Sequence, residues 1–231
     1  MRKVFLILLL CVLMALPMVG AAGEEPAPGK TKEARIKLPE PRHESALSIE
    51  KGLFKRRSVR YYTDEPLLFT ELSQLLWAAQ GITGPQGQRT APSAGGLYPL
   101  DVYVVVGDVN GLDEGVYKYI PQGHELLKIM DGDKRAELSA ASYGQDWVRE
   151  GAAVIVFSGV YERTARKYGE RAERYVQIEV GSVAENVYLQ AVSLHIGTVF
   201  VGAFKDDRVK RILNMTDKEH PLGIMPVGKV K

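Results

Sequence analysis

Two stretches of this 231-residue sequence carry residue types that can hold a planar, phosphorylated ligand. The first is Arg56-Arg57-Ser58-Val59-Arg60. Guanidinium forks and a hydroxyl at that spacing can grip phosphate and ribityl oxygens, because arginine donates paired hydrogen bonds in a fixed plane. The second is Pro92-Ser93-Ala94-Gly95-Gly96-Leu97-Tyr98-Pro99, bounded by prolines and emptied of side chains in its middle. Its peptide edge can approach a flat ring that bulkier residues would keep away. Each stretch also has a plainer reading, a solvated basic turn for one and an ordinary turn for the other. Arginines this close repel one another, so an anionic ligand or acidic neighbours should compensate them.

The rest of the composition narrows the chemistry. There is no Gly-x-Gly-x-x-Gly between a strand and a helix, no Walker loop, no His-Glu-x-x-His and no Gly-x-Ser-x-Gly. His43, His124, His195 and His220 are scattered without ligand spacing, so no metal site is expected. Dinucleotide folds, NTPases, zinc hydrolases and serine hydrolases are disfavoured. Cys11, the only cysteine, lies in an apolar N-terminal segment, which excludes thiol chemistry from a mature chain. The 30 basic residues less Arg2 and Lys3 leave 28, matching 28 acidic ones, and this balance implies no nucleic-acid partner. Flavin mononucleotide (FMN) is the obvious ligand of the remaining class. It needs a donor near N5, positive charge near N1 and O2, and one open ring face. The two stretches together can provide all three.

The elements that must position these residues follow from pattern. Met1-Arg2-Lys3 precedes an uncharged run from Val4 to Ala22 that ends in small residues. This reads as a secretory signal over residues 1–22, with an uncleaved anchor as its rival, and predicts an exported protein. Residues 23–45, with Pro26, Pro28, Pro39 and Pro41 among charges, read as a disordered linker. A single domain over 46–231 follows. Helical spacing is seen from Ser45 to Phe54, and again after Thr70, a candidate N-cap, with Leu72, Leu75, Leu76 and Ala79 on one face. Val102–Val106, Gly115–Ile120 and His124–Met130 read as a strand meander. Lys134–Ala141 reads as a helix, and Val154–Ser158 as a strand covered on both faces, followed by a helix through Tyr168. The longest helix is predicted over Arg171–Leu194, apolar on more than one face and so buried in the domain, against a second subunit, or both. Thr198–Val201 and Ile224–Val227 read as strands and Lys205–Leu213 as a helix. Interspersed elements without a strict βαβ repeat give an α+β layered domain.

These motifs, in their order, resemble the nitroreductase superfamily. To the two stretches are added Ala184-Glu185-Asn186-Val187-Tyr188-Leu189-Gln190-Ala191, Gly197 to Phe204, and Pro221 to Gly228. Within the superfamily the sequence is most similar to the branch containing the azoline (thiazoline and oxazoline) dehydrogenases. The resemblance implies a mainly antiparallel sheet flanked by helices, and a homodimer built around the long helix with one FMN per site. It implies that Arg56, Arg57, Ser58 and Arg60 bind the phosphate, ribityl chain and pyrimidine edge. Pro92, Ser93, Ala94 and the adjoining Gly95 would reach the flavin of the other subunit. Gly202 and Ala203 would pass near the ring, and Lys229 would add a phosphate cation. Lys167-Tyr168 resembles the acid and base pair of the azoline dehydrogenases, since one proton must leave the substrate as hydride goes to N5; a surface lysine beside a packing tyrosine is the other reading. Ser182 and Glu185 depart from the expected helix pattern. The implied activity is an FMN oxidoreductase acting on a small-molecule substrate, with NAD(P)H or a membrane redox partner as electron donor. An azoline-type dehydrogenase and a binding module that has lost its flavin are the alternatives.

Overall fold

Near-continuous apolar runs along the central strands require cover on both sides of a sheet, and helices supply it. The computed structural model describes residues 35–230. In chain order the elements are β1 (Arg35–Lys37), α1 (Ile49–Lys55), β2 (Leu67–Leu68), α2 (Phe69–Gln80), β3 (Leu100–Val106), β4 (Val109–Asn110), β5 (Gly115–Ile120) and β6 (Glu125–Asp131). They continue with α3 (Arg135–Ala141), α4 (Asp146–Glu150), β7 (Ala153–Gly159), α5 (Tyr161–Tyr168), α6 (Ala172–Leu194), β8 (Ile196–Thr198), α7 (Asp206–Ile212) and β9 (His220–Lys229). One sheet runs β1-β6-β5-β3-β7-β9-β8 with every neighbouring pair antiparallel, and β2 and β4 form a separate parallel pair.

Val102, Val104, Ile155 and Phe157 point to one face, where Leu72, Leu75 and Leu76 of α2 meet Val176, Val180, Val183 and Val187 of α6. Tyr103, Val105, Val154 and Val156 point to the other face, covered by Leu138 of α3, Val148 of α4 and Val209 of α7. The sheet is therefore the middle of three layers, in the α+β class expected, and β7 is buried along its whole length. The long helix spans nearly the predicted range, buried along its Val176-Val180-Val183-Val187 stripe while Ile178 stays exposed.

Several elements differ from the sequence reading. α2 begins at an N-cap on Leu68 rather than Thr70, because Glu71 Oε2 accepts the Leu68 N–H at 2.9 Å. β8 is Ile196–Thr198 rather than Thr198–Val201, Val201 making only an isolated bridge to Ile224. The five-residue α4 has too few turns to show a helical period.

The expected linker is corrected at its C-terminal end. Arg35–Lys37 pairs with β6 as an edge strand, and Leu38 is buried. Leu38 N–H donates to His124 O at 3.0 Å, Ser73 Oγ donates to Pro39 O at 2.6 Å, and the Gln74 amide bonds both the N–H and the C=O of Arg42. Prolines and charges hid this, since three strand residues carry almost no alternation signal. The expected signal segment, 1–22, and the linker up to 34 lie outside the described residues. The expectation of an exported or membrane-anchored protein is also corrected. Among the described residues no helix is long and apolar enough to cross a membrane. The long helix α6 carries Glu173, Arg174, Glu179 and Glu185, which suits it to a protein interior and an aqueous edge.

Candidate functional site

The first wall of the site is the arginine segment. Ser48 caps α1 by accepting the Lys51 N–H, and the helix ends at Arg56, after which the chain runs extended along the sheet edge. Val59 N–H donates to Thr198 O and Thr63 N–H to Lys229 O, both at 2.9 Å. This close approach needs Gly197, where a Cβ would stand 2.7 Å from Val59 Cγ1.

Tyr188 of α6 organises the segment. Its hydroxyl lies 3.2 Å from Ser58 Oγ and accepts the Phe200 N–H at 2.7 Å, and the Arg56 guanidinium sits over its ring at 5.0 Å. Arg56 Nε also lies 3.9 Å from Glu185 Oε1, so an acidic neighbour offsets the crowded cations. Arg60 stacks over the Trp147 ring of α4 at 5.5 Å, while Gln145, the α4 N-cap, donates to Ala203 O at 3.1 Å. Arg56, Ser58, Arg60, Gly202 and Ala203 are thus gathered around α4 and Tyr188. Two expected members are differently committed. Arg57 turns back, donating from Nη1 to Phe54 O and Arg56 O. Lys229 is ion-paired with Glu71, whose other oxygen caps α2, rather than free to meet a phosphate.

The second wall is the glycine loop with α5. Asn186 Nδ2 donates to Thr90 O at 3.2 Å and pins the loop's entry to α6. Ser93 Oγ accepts the Tyr98 N–H at 2.9 Å, closing the loop, and Tyr98 itself holds φ at 47°. Gly95 holds φ at 64°, and a Cβ there would lie 2.9 Å from Tyr168 Oη and 3.2 Å from Lys167 Nζ. The sequence-predicted proton-transfer pair and the side-chain-poor loop therefore meet at one point. Tyr168 is fixed edge-on against Tyr175 of α6 at 5.0 Å, and Lys167 Nζ lies 5.4 Å from the Tyr168 ring centre. Pro92, Ser93 and Ala94 line a cavity of about 260 Å³ with Tyr175, Ile178, Glu179 and Ser182.

The two walls sit at different ends of α6. Tyr175 and Tyr188 are 13 residues apart, which at 1.5 Å per residue is about 20 Å. Sequence reasoning passed over Tyr188, Glu179 and Arg89. Tyr188 was hidden in an apolar stripe, although its i,i+3 spacing from Glu185 places the pair on one helix face. Glu179 is only 3% exposed; burial pushes its carboxyl pKa up, against the opposing influence of Ser93, Gln80 and Arg89. Arg89 donates from Nη1 to Gln80 Oε1 at 2.7 Å and covers the Tyr98 ring at 4.4 Å. Burial draws its guanidinium pKa down, partly offset by Tyr98, Glu179 and Asp101. Among the described residues no group of histidine, cysteine and carboxylate side chains could hold a metal.

This fold is that of a known protein family. The chain belongs to the nitroreductase family, whose model matches residues 53–229. It is 50% identical over 183 residues to a protein of Methanocaldococcus jannaschii named for the nitroreductases, covering 79% of this chain and 91% of that one. A solved structure of a nitroreductase-named protein from Ralstonia eutropha superposes with a TM-score of 0.76 at 30% identity, covering 87% of this chain and 91% of that one. The similarity to the azoline-dehydrogenase branch is upheld by the trifolitoxin operon protein TfxC of Rhizobium leguminosarum, 25% identical over 88% of this chain and 63% of its own length.

Proposed function

We propose that this protein is an FMN-dependent oxidoreductase that works as a homodimer on a small organic substrate. The observation that carries the reading is the convergence at Gly95, where a lysine ammonium and a tyrosine hydroxyl border a loop cleared of side chains. The residues present fit FMN. Arg56, Ser58 and Arg60 offer charge-assisted donors of the type phosphate and ribityl oxygens need, and the exposed Gly202 and Ala203 leave room for a ring. When bound, FMN supplies a site at N5 that takes or gives hydride.

The chain's own residues do the rest. Arg56, Ser58 and Arg60 hold the cofactor, and Pro92 to Gly95 close over it from the second copy. The separation of the two walls along α6 supports that division of labour. So does the apolar surface exposed on α1 and α6, where Ile49, Leu53, Phe54 and Ile178 are each more than half exposed. Tyr168 Oη and Lys167 Nζ give or take the proton that accompanies hydride movement on the substrate. In this reading a reduced nicotinamide is the electron donor, and a nitro or quinone-type compound the acceptor.

One observation favours a second reading. Lys167 is exposed and Tyr168 half-buried, yet Lys167 Nζ and Tyr168 Oη both lie against the loop at Gly95, a placement an azoline-type dehydrogenase acting on a five-membered heterocycle could use. The visible spectrum of the purified protein tests the first step. Oxidised-flavin bands, with about one heat-released FMN per chain, are expected. A colourless dimer that takes up no added FMN overturns the proposal and leaves a binding module on the same fold. Turnover of a thiazoline, compared with reduction of a quinone, then separates the two enzymatic readings.

A further inference from the structure

Arg89 is a half-buried cation that the proposed function leaves unused. It lines a cavity of about 360 Å³ that the loop after Gly96 forms with the start of β3, the end of β5 and Arg163 of α5. The cavity is separate from the convergence at Gly95, since Gly95, Lys167 and Tyr168 do not line it. Its polar side is cationic. Arg163 is held in a fork by Asp101, at 2.7 and 2.9 Å. Lys118 Nζ bridges Asp101 at 2.9 Å and Glu219 at 2.8 Å. These two cations and two carboxylates neutralise one another. Arg89 has no such partner. It donates from Nη1 to the uncharged Gln80 amide at 2.7 Å and covers the Tyr98 ring at 4.4 Å, and among the described residues no carboxylate lies within ion-pair distance of it. Glu179 acts on it only from beyond that distance, and burial pushes the pKa of that carboxyl up.

A cation half out of water without a counter-ion is costly, and an anion beside it lowers that cost. Burial and the neighbouring Arg163 both draw the Arg89 guanidinium pKa down, the direction that a bound anion reverses. Nε and Nη2 of Arg89 are bonded to no described residue. The guanidinium therefore keeps the paired donors that a carboxylate takes, as Asp101 takes those of Arg163. The rest of the lining includes Leu97, Ile120 and Pro121, which suit an apolar body. The volume falls at the small end of the range for ligand cavities.

We propose that this cavity binds a small organic carboxylate, with its acid group on Arg89 and its apolar body against Leu97, Ile120 and Pro121. Binding there does not depend on flavin being the cofactor. The site does border the proposed chemistry: Arg163 and Lys167 are four residues apart on α5, so the turn that lines the cavity adjoins the one that reaches Gly95. The carboxylate arrives either as the acid group of the substrate itself or as a separate small acid. That choice of source rests on the function proposed above, whereas the site does not.

Calorimetric titration of the full chain, saturated with any FMN it takes up, tests the site with benzoate as the probe. Saturable binding with a Kd of about 1 mM or tighter is expected. Benzamide, which has nearly the same shape without the charge, should bind about tenfold more weakly or worse. Arg89→Gln should weaken benzoate by about tenfold or more, and Arg89→Lys by less, since lysine keeps the charge but not the fork. Gln122→Glu serves if Arg89→Gln does not fold. It is an exposed change at the cavity's edge, and it should weaken benzoate severalfold at low salt, an effect that shrinks as salt is added. Absence of saturable benzoate binding, or binding that none of these substitutions changes, overturns the inference. Inorganic phosphate bound as tightly as benzoate overturns the assignment to an organic carboxylate. Turnover of an uncharged quinone separates the two sources: benzoate that raises KM supports the substrate's own acid group, and benzoate that leaves KM unchanged supports a separate acid. A protein that binds benzoate at Arg89 but takes up no FMN supports the site and overturns the proposed function instead.

Discussion

Tyr168 and Gly95 compete for one point in space: a Cβ on Gly95 would stand 2.9 Å from the Tyr168 hydroxyl. Gly95→Ala therefore meets two penalties, a left-handed backbone at φ 64° and a displaced Tyr168 and Lys167. The backbone alone costs about 1 kcal/mol. Scanning calorimetry should show a melting temperature about 2–4 °C lower for each kcal/mol lost in a domain of this size. Turnover should fall further than that loss of stability explains, because the proton-transfer pair has moved.

Lys167→Ala and Tyr168→Phe separate chemistry from binding. Neither residue touches the arginine wall among the described contacts, so FMN affinity should be unchanged. Turnover that requires a proton at the substrate should drop by about 10²–10⁴-fold. Steady-state rates on a heterocycle, set beside FMN titrations, check this; equal rates in wild type and variants would return both residues to a packing role.

Tyr188→Phe removes one hydroxyl that serves two segments of the first wall. The Phe200 N–H loses its 2.7 Å acceptor and Ser58 loses its 3.2 Å neighbour. An orphaned, partly buried N–H costs about 1–3 kcal/mol. Urea unfolding should show the loss as a lower midpoint at unchanged slope. FMN titration should show weaker affinity, through the freed Ser58 and the loosened strand before Gly202.

Glu219 gives the fold an acid-side limit. Burial would raise its pKa, but Lys118 at 2.8 Å, the Thr216 N–H at 2.9 Å and the Tyr103 and Thr216 hydroxyls outweigh it, and the carboxyl is held down to about 2. A lowered pKa contributes stability above the ordinary glutamate value of 4.5, and that contribution is lost as pH falls from there through about 2. Its size is about 3 kcal/mol at most. Melting temperatures of Glu219→Gln should lie below wild type at neutral pH and converge on it in acid.

A chain begun at residue 46, the boundary suggested by composition, should be less stable than one begun at residue 34. It lacks β1, buried Leu38 and the bonds from Ser73 and Gln74. Loss of the Leu38 side chain and about two net hydrogen bonds amounts to about 3–5 kcal/mol. Equal denaturation midpoints for the two chains would show that the edge strand contributes nothing.

The sequence by itself determined the layered α+β class, most helices and strands, and the family, and it singled out the two stretches proposed as walls of the site. Those features are local: apolar period along α2, α6, β3 and β7, and glycines and arginines clustered within a few residues of one another. Tertiary structure alone decided which of those residues are available. Arg57 and Lys229 read as cofactor ligands, yet one is folded onto its own backbone and the other is held by Glu71, from the far side of the chain in sequence. Tyr188 and Glu179 read as parts of an apolar helix, yet they carry the hydrogen bonds and the buried acid of the site. Their roles depend on partners at Ser58, Phe200, Gln80 and Ser93 that no sequence period connects. The strand at residues 35–37 was invisible for the same reason, since its order comes from pairing with Glu125 to Leu127 of β6 and not from its own composition. Local pattern fixes what a segment can become, and long-range hydrogen bonding and burial decide what each side chain is free to do.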